Sequence, residues 1–262
     1  MKKHFACVLL CLSLLLGATP AFAADNGWSA GVLVNGAPAA FQSTVYGSTT
    51  YVPFYDAVLA LRPDAAVVWE NGQFVASASD FTMTASGGSR HLVVNGRYLY
   101  IPDGIKVLDD GAIAVPARTL ATALGAWTGW NDGLELCSGG APLAAGDLPY
   151  DEATLTLLAQ VVTHESGNQP LDGKIAVANV MLNRVADSRF PNTLSGVIYQ
   201  EGQFPGATNA TPNAESILAC RLALEGANVV PNAYWFNGAG DPCWASRTKT
   251  TIAVIGGHAF YG

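Results

Sequence analysis

The chain has 262 residues, half of them hydrophobic, with 13 basic and 20 acidic side chains and a net charge of −7. An acidic surface argues against nucleic acid and anionic lipid as partners. After the first two dozen residues no run approaches the ~18 consecutive apolar positions needed to cross a bilayer.

The first segment reads as a secretory signal peptide over 1–23. Lys2 and Lys3 form a positive start, Val8 to Leu16 is a short apolar core, and Ala21-Phe22-Ala23 offers a small-residue cleavage site. Its removal leaves 11 basic residues against 20 acidic ones, a mature net charge of −9 over 239 residues, enough for two domains. The expectation is an exported protein without a membrane span. Cys7 and Cys11 leave with the signal. Cys137, Cys220 and Cys243 remain, an odd number without metal-ligand spacing. Cys220 and Cys243 stand open between a disulfide and two free thiols.

The next stretch, 24–146, contains a duplication and a linker. Val34-Asn35-Gly36, Val52-Pro53 and Trp69-Glu70-Asn71-Gly72 return in order as Val94-Asn95-Gly96, Val115-Pro116 and Trp130-Asn131-Asp132-Gly133. Each unit predicts strand, Asn-Gly turn, strand, a helix with proline at its first position, and a strand bearing tryptophan. Trp69 and Trp130 are expected in the core, with sugar stacking as the alternative. His91 has no companions that would make a metal site. These paired Val-Pro helix starts and paired tryptophans resemble the copper amine oxidase N-terminal-like domain over about residues 28–138. That likeness implies a small α+β module, found on many exported proteins of Gram-positive bacteria, that spaces or anchors a partner domain at the wall. Ser138 to Gly146 reads as the linker.

Residues 147–262 form the second domain. Asp151 is the expected N-cap of a helix whose stripe Leu155, Leu158, Val161, Val162 continues onto Glu165. Gly167 and Asn168 end it. Burial and the negative end of the helix dipole both favour a protonated Glu165, which suits general-acid chemistry. Gly173 to Val185 is apolar on nearly every face and is expected to be a buried helix, with Asn179 and Asn183 as amides in need of partners. Val197 to Gln200 reads as a short strand or tight segment. A third helix is capped by Asn213 and runs to about Leu224. Trp235 and Phe260 are expected in the core, and Tyr199, Phe204 and Asn237 nearer a groove. Asp172, ahead of the buried helix, looks like a cap residue, and Asp187 lies in a solvated turn. His164-Glu165 would need histidine at 168 to complete a zinc motif, and Asn168 stands there.

The ordered motifs His164-Glu165-Ser166-Gly167-Asn168-Gln169-Pro170, Leu182-Asn183-Arg184-Val185, Phe190-Pro191-Asn192-Thr193, Tyr199-Gln200-Glu201-Gly202-Gln203-Phe204 and His258-Ala259-Phe260-Tyr261 resemble the SleB-type cell-wall hydrolases over 152–262. The family's second motif glutamate is Gln169 here. The resemblance implies a lysozyme-like α+β fold, mainly helical with a small sheet, and lytic transglycosylation of peptidoglycan glycan strands between N-acetylmuramic acid and N-acetylglucosamine. In that reading Glu165 is the catalytic acid and then base. Gln169, Asn183, Tyr199, Gln203, Phe204 and Asn237 contact substrate, and no cofactor or metal takes part. Localisation is expected in the cell wall or spore envelope, and protein partners are unknown. The alternative is a non-catalytic peptidoglycan-binding wall protein.

Overall fold

The computed structural model describes residues 29–130 and 133–262. The signal segment expected at 1–23 and the Asn131-Asp132 pair lie outside them.

In the first half β1 (Ser29–Val34), β2 (Ala37–Tyr46), β3 (Thr49–Pro53), α1 (Phe54–Leu61), β4 (Ala66–Glu70), β5 (Gln73–Ala78) and β6 (Phe81–Ala85) make up the first unit. The second runs through β7 (His91–Val94), β8 (Arg97–Tyr100), β9 (Lys106–Val107), β10 (Ile113–Pro116), α2 (Ala117–Ala123), β11 (Trp127–Trp130) and β12 (Leu134–Cys137). The expected hairpins form at Asn35-Gly36 and Asn95-Gly96, and a third forms at Asn71-Gly72. Each asparagine is in the left-handed region (φ 53°, 49° and 51°), as the primed two-residue turn demands. Pro53 and Pro116 stand one position earlier than expected, as the N-caps of α1 and α2.

Strand order is β11-β12-β1-β2-β3-β10-β9 in one sheet and β4-β5-β6-β7-β8 in the other. β1 and β12 pair in parallel, which stitches the two units together. Phe54, Val58, Met83, Leu92, Ile101, Leu120 and Leu136 fill the core between them. Trp69 and Trp130 are not in it: they are 60% and 58% exposed. Both sit on strands near a sheet edge (β4 is terminal, β11 likewise), where one face has no covering layer. The segment read as a linker is packed down: Leu143 joins the core and its carbonyl accepts from Asn95.

The second half comprises α3 (Glu152–Ser166), α4 (Leu171–Ala186), α5 (Leu194–Ile198), α6 (Ala214–Leu224), β13 (Trp235–Gly238), α7 (Trp244–Thr248), β14 (Thr251–Ile255) and β15 (His258–Tyr261). It is a mixed domain of helices and one antiparallel sheet, ordered β13-β15-β14. Asp151 caps α3 through Thr154 N, and Asn213 caps α6 through Ser216 N, each as expected. Val197 to Gln200, read as a short strand or tight segment, is the end of α5 and the turn after it, and Thr193 caps this helix by accepting from Gly196 N.

α4 is buried along Gly173 to Met181, and that stretch includes Lys174. Its ammonium donates to the Gln169 carbonyl and to Glu215, which lets a cation sit where the sequence reads core. Asn179 donates to Ala227 O and accepts from Val229 N. Asn183 donates to Val230 O and Ala233 O. The two amides thus pin the 227–233 loop that leads into β13.

The two halves meet at the β7–β8 hairpin. Arg97 Nε reaches Glu225 at 2.7 Å with the glutamate side chain 1% exposed, and Tyr150 also donates to Glu225. Arg90 and Tyr100 both bond Asp172, at 2.8 and 2.7 Å. Asp172 is therefore not a cap: Pro170 occupies the N-cap of α4 without a side-chain bond, and the carboxylate is taken by the other domain. Tyr98 and Tyr100 pack against the second core of Leu158, Val162, Ile175, Met181 and Phe260. Among the described residues Cys137, Cys220 and Cys243 are all free. Cys220 is buried in α6 and Cys243 caps α7. No helix among the described residues is long and apolar enough to cross a membrane.

Candidate active site

The stripe that packs α3 on the core brings Glu165 round to the wall of a cavity of about 340 Å³. Arg184 from the end of α4, Gln203 and Phe204 from the loop after α5, Trp235 to Gly238 of β13, and His258 at the start of β15 complete the lining. Glu165 is the sole carboxylate among these residues. Its side chain is 24% exposed. Burial raises its pKa above the ordinary 4.5, and the nearby His164, with Nε2 4.0 Å from Oε1, acts in the opposite direction with smaller effect. The carbonyl end of α3 adds to the first effect. The result is a carboxyl that holds its proton to higher pH and faces a polar hollow.

The cavity wall is held by cross-links. Arg184 donates from Nε to Tyr234 O and from Nη1 to Gln203 Oε1, both at 2.7 Å, and is 4% exposed. Phe236 packs edge-on to His258 at 5.5 Å between ring centres. Burial lowers the His258 pKa, and its Nδ1 is buried with no hydrogen-bond partner among the described residues. Asp241 folds its carboxylate back onto Gly238 from outside the lining, which leaves no room there for a β-carbon. The Gly256-Gly257 turn ahead of His258 is fixed by Gln169, whose Oε1 accepts from Gly257 N at 2.6 Å. Gly256 has φ 58°.

Of the residues singled out from the sequence, the cavity gathers Glu165, Gln203, Phe204 and Asn237. It does not include three others. Gln169 is engaged with the Gly257 turn, Asn183 with the 227–233 loop, and Tyr199 ends α5 at 66% exposure. Trp235, expected in the core, is half-buried and lines the cavity, because the first residue of β13 faces the opening. Arg184 and His258 went unrecognised as site residues. The signal available was that each lies inside a quoted motif, Leu-Asn-Arg-Val and His-Ala-Phe-Tyr. The acids Asp172 and Asp187 are engaged by Arg90 with Tyr100 and by Arg189, respectively. Among the described residues no three His, Cys, Asp or Glu side chains cluster as a metal site.

The profile of the cell wall hydrolase family matches residues 168–261, and that of the copper amine oxidase N-terminal domain matches 33–137. The chain is similar to the spore cortex-lytic enzymes of Bacillus cereus (36% identical over 116 residues, 42% of this chain and 45% of the relative) and Oceanobacillus iheyensis (32% over 128 residues, 47% and 46%). It spans a little under half the length of these curated relatives. Two solved structures are also similar. The catalytic domain of the Bacillus cereus SleB protein is 33% identical (43% of this chain, 92% of that one, TM-score 0.40). That of the germination-specific lytic transglycosylase SleB from Bacillus anthracis is 32% identical (43% and 97%, TM-score 0.40). Residues 168–261 thus match the cell wall hydrolase family, and residues 33–137 ahead of them match the copper amine oxidase N-terminal domain.

Proposed function

We propose that this chain cleaves the glycan strand of peptidoglycan between N-acetylmuramic acid and N-acetylglucosamine, with Glu165 as the reacting group. The observation that carries the reading is a half-buried carboxyl, raised in pKa, that among the described residues is the only acid lining a polar cavity with aromatic walls. The family match opens at residue 168, three residues past Glu165, so the role of Glu165 rests on geometry and on the motif order.

In this mechanism Glu165 protonates the glycosidic oxygen as the bond to the anomeric carbon breaks. The resulting carboxylate takes the proton of the muramic C6 hydroxyl as that oxygen closes on the anomeric carbon, and Glu165 is restored. A two-carboxylate hydrolase needs a second acid to activate water. The tethered hydroxyl instead gains several kcal/mol in effective molarity. Gln203 and Asn237 supply amide contacts to sugar hydroxyls, and Phe204 and Trp235 supply ring faces. A lysozyme-like arrangement of the domain belongs to the same reading. So do export by way of residues 1–23, residence in the wall or spore envelope, and a spacing or anchoring role for the first domain.

Mass spectrometry of a digest tests the mechanism. The expected products end in 1,6-anhydromuramic acid, one water lighter per cut than reducing ends. A digest dominated by reducing ends favours a second reading, hydrolysis with Asp241 as base, since its carboxylate lies against Gly238 of the lining. No cleavage on a peptidoglycan zymogram would leave a wall-binding protein.

A further inference from the structure

Six of the described cations of this acidic chain are ion-paired. Arg62, Arg90, Arg97, Lys174, Arg189 and Arg221 each have a carboxylate within 4.0 Å. Among the described residues Lys106, Arg118, Arg184, Arg247 and Lys249 have none, and two of these five, Arg184 and Lys249, lie beside the cavity. Arg184, 4% exposed, bonds only a carbonyl and an amide oxygen. Lys249 sits with its ammonium 4.5 Å from the ring centre of Trp235 and 5.1 Å from that of Trp244. Among the described residues no carboxylate lies within ion-pair distance of it.

Trp235 lines the cavity, and Trp244 meets it edge-on at 5.6 Å, so the shelf leads from the Glu165 cavity outward by about one ring width. Trp244 is 55% exposed. Asp241 is turned onto Gly238, and Asp187 is occupied by Arg189 in a two-bond fork. Holding an ammonium over two indoles places it without neutralising it. A buried guanidinium and a clasped ammonium, both lacking anions, flank one opening. Such a site is charge-complementary to a sugar that carries a carboxylate.

We propose that Lys249, clasped by Trp235 and Trp244, is a specificity-determining residue that selects glycan strands bearing a carboxylate on the muramyl side group over neutral strands. The proposal rests on the reading of the adjoining cavity as a glycan-cleaving site. The carboxylate has two sources, the stem peptide or the lactyl group itself.

The test uses the full chain and three strand preparations: peptide-bearing, the same with all carboxylates capped as neutral methylamides, and amidase-stripped with only the lactyl carboxylate left. The peptide-bearing strand is expected to be cut with kcat/KM about three- to tenfold above the capped one, as for one charge-assisted contact. Lys249→Gln should bring that ratio close to one, Lys249→Arg should keep it, and added salt should compress it in the parent. The lactyl carboxyl is amide-linked in peptide-bearing strands and free only in stripped ones, so stripped strands that behave like peptide-bearing ones show that Lys249 accepts a lactyl carboxylate as well, and behaviour like capped strands restricts the contact to the peptide. The same ratio is read as Kd on Glu165→Gln, from quenching of indole fluorescence, so the selectivity is measured whether or not the strands are cut. Equal treatment of charged and capped strands by the parent, or an unchanged ratio in Lys249→Gln, overturns the proposal. Failure of all cleavage with the binding ratio intact counts against the cavity reading alone.

Discussion

Glu165 is held in a place that suits its proton better than its charge. Its folded pKa is raised by burial, so the native state binds more protons than the unfolded chain between 4.5 and that raised value. Stability therefore falls as pH rises through this window, and the cost is complete above it. Glu165→Gln removes the ionisable group at constant shape. It should lower cleavage by about 10²-fold or more. At pH 7 it should melt at the same temperature or on the order of 1–3 °C higher, and this difference should close below pH 4.5. Paired melting curves and rates check both. A variant that loses activity and also several degrees at pH 7 would mean that the carboxylate is a structural anchor. Rate should decline on the alkaline side as the acid form is lost, a limb that a pH profile of kcat locates.

Among the elements, the β7–β8 hairpin has the largest consequence for the second domain. It delivers Arg97 to a glutamate that is almost wholly buried, and Arg90 with Tyr100 to the first turn of α4. Breaking one side of a buried pair leaves a charge without a counter-ion. Arg97→Ala should therefore cost about 2–4 kcal/mol in urea unfolding of the full chain, Tyr150 retaining part of the contact. The paired change Arg97→Ala with Glu225→Gln should recover part of this loss; no recovery would place the cost in lost packing. These contacts were not legible in the sequence, where Asp172 has the look of a cap. Local signals did carry: the Asn-Gly hairpins, the Asp151 and Asn213 caps and the α3 stripe each depend on residues within a few positions. Lys174 did not, because its partner Glu215 lies 41 residues away and only the folded packing brings them together.

For the molecule as a whole, the interface argues for one cooperative body. Tyr98 and Tyr100 extend the second core, and Leu143 ties the connecting segment to the first. We expect the full chain to melt in a single calorimetric transition. Residues 147–262 alone should still cut soluble strands, since α3, α4 and the cavity lie within them. They should melt several degrees lower and clear intact wall less well. Two separate transitions in the full chain would show the interface to be weak. Equal clearing of intact wall by both forms would remove the anchoring role. The order of motifs made the cavity's main acid legible. The exposure of Trp69 and Trp130 was not, because repeat position says where a strand lies and not whether a layer covers it.

The three Asn-Gly turns that shape the first domain are also its sites of covalent ageing, since asparagine before glycine is the sequence most open to loss of its amide. The fold guards them unequally. Asn95 is held by Thr82 N, Asp80 O and Leu143 O, and Asn35 by Ser138, while no described residue bonds the side chain of Asn71. Among these three turns, peptide mapping after prolonged warm storage should find the new negative charge first at Asn71. The turn that sets the register of β4 and β5, beside the exposed Trp69, is then the part of the molecule that keeps time.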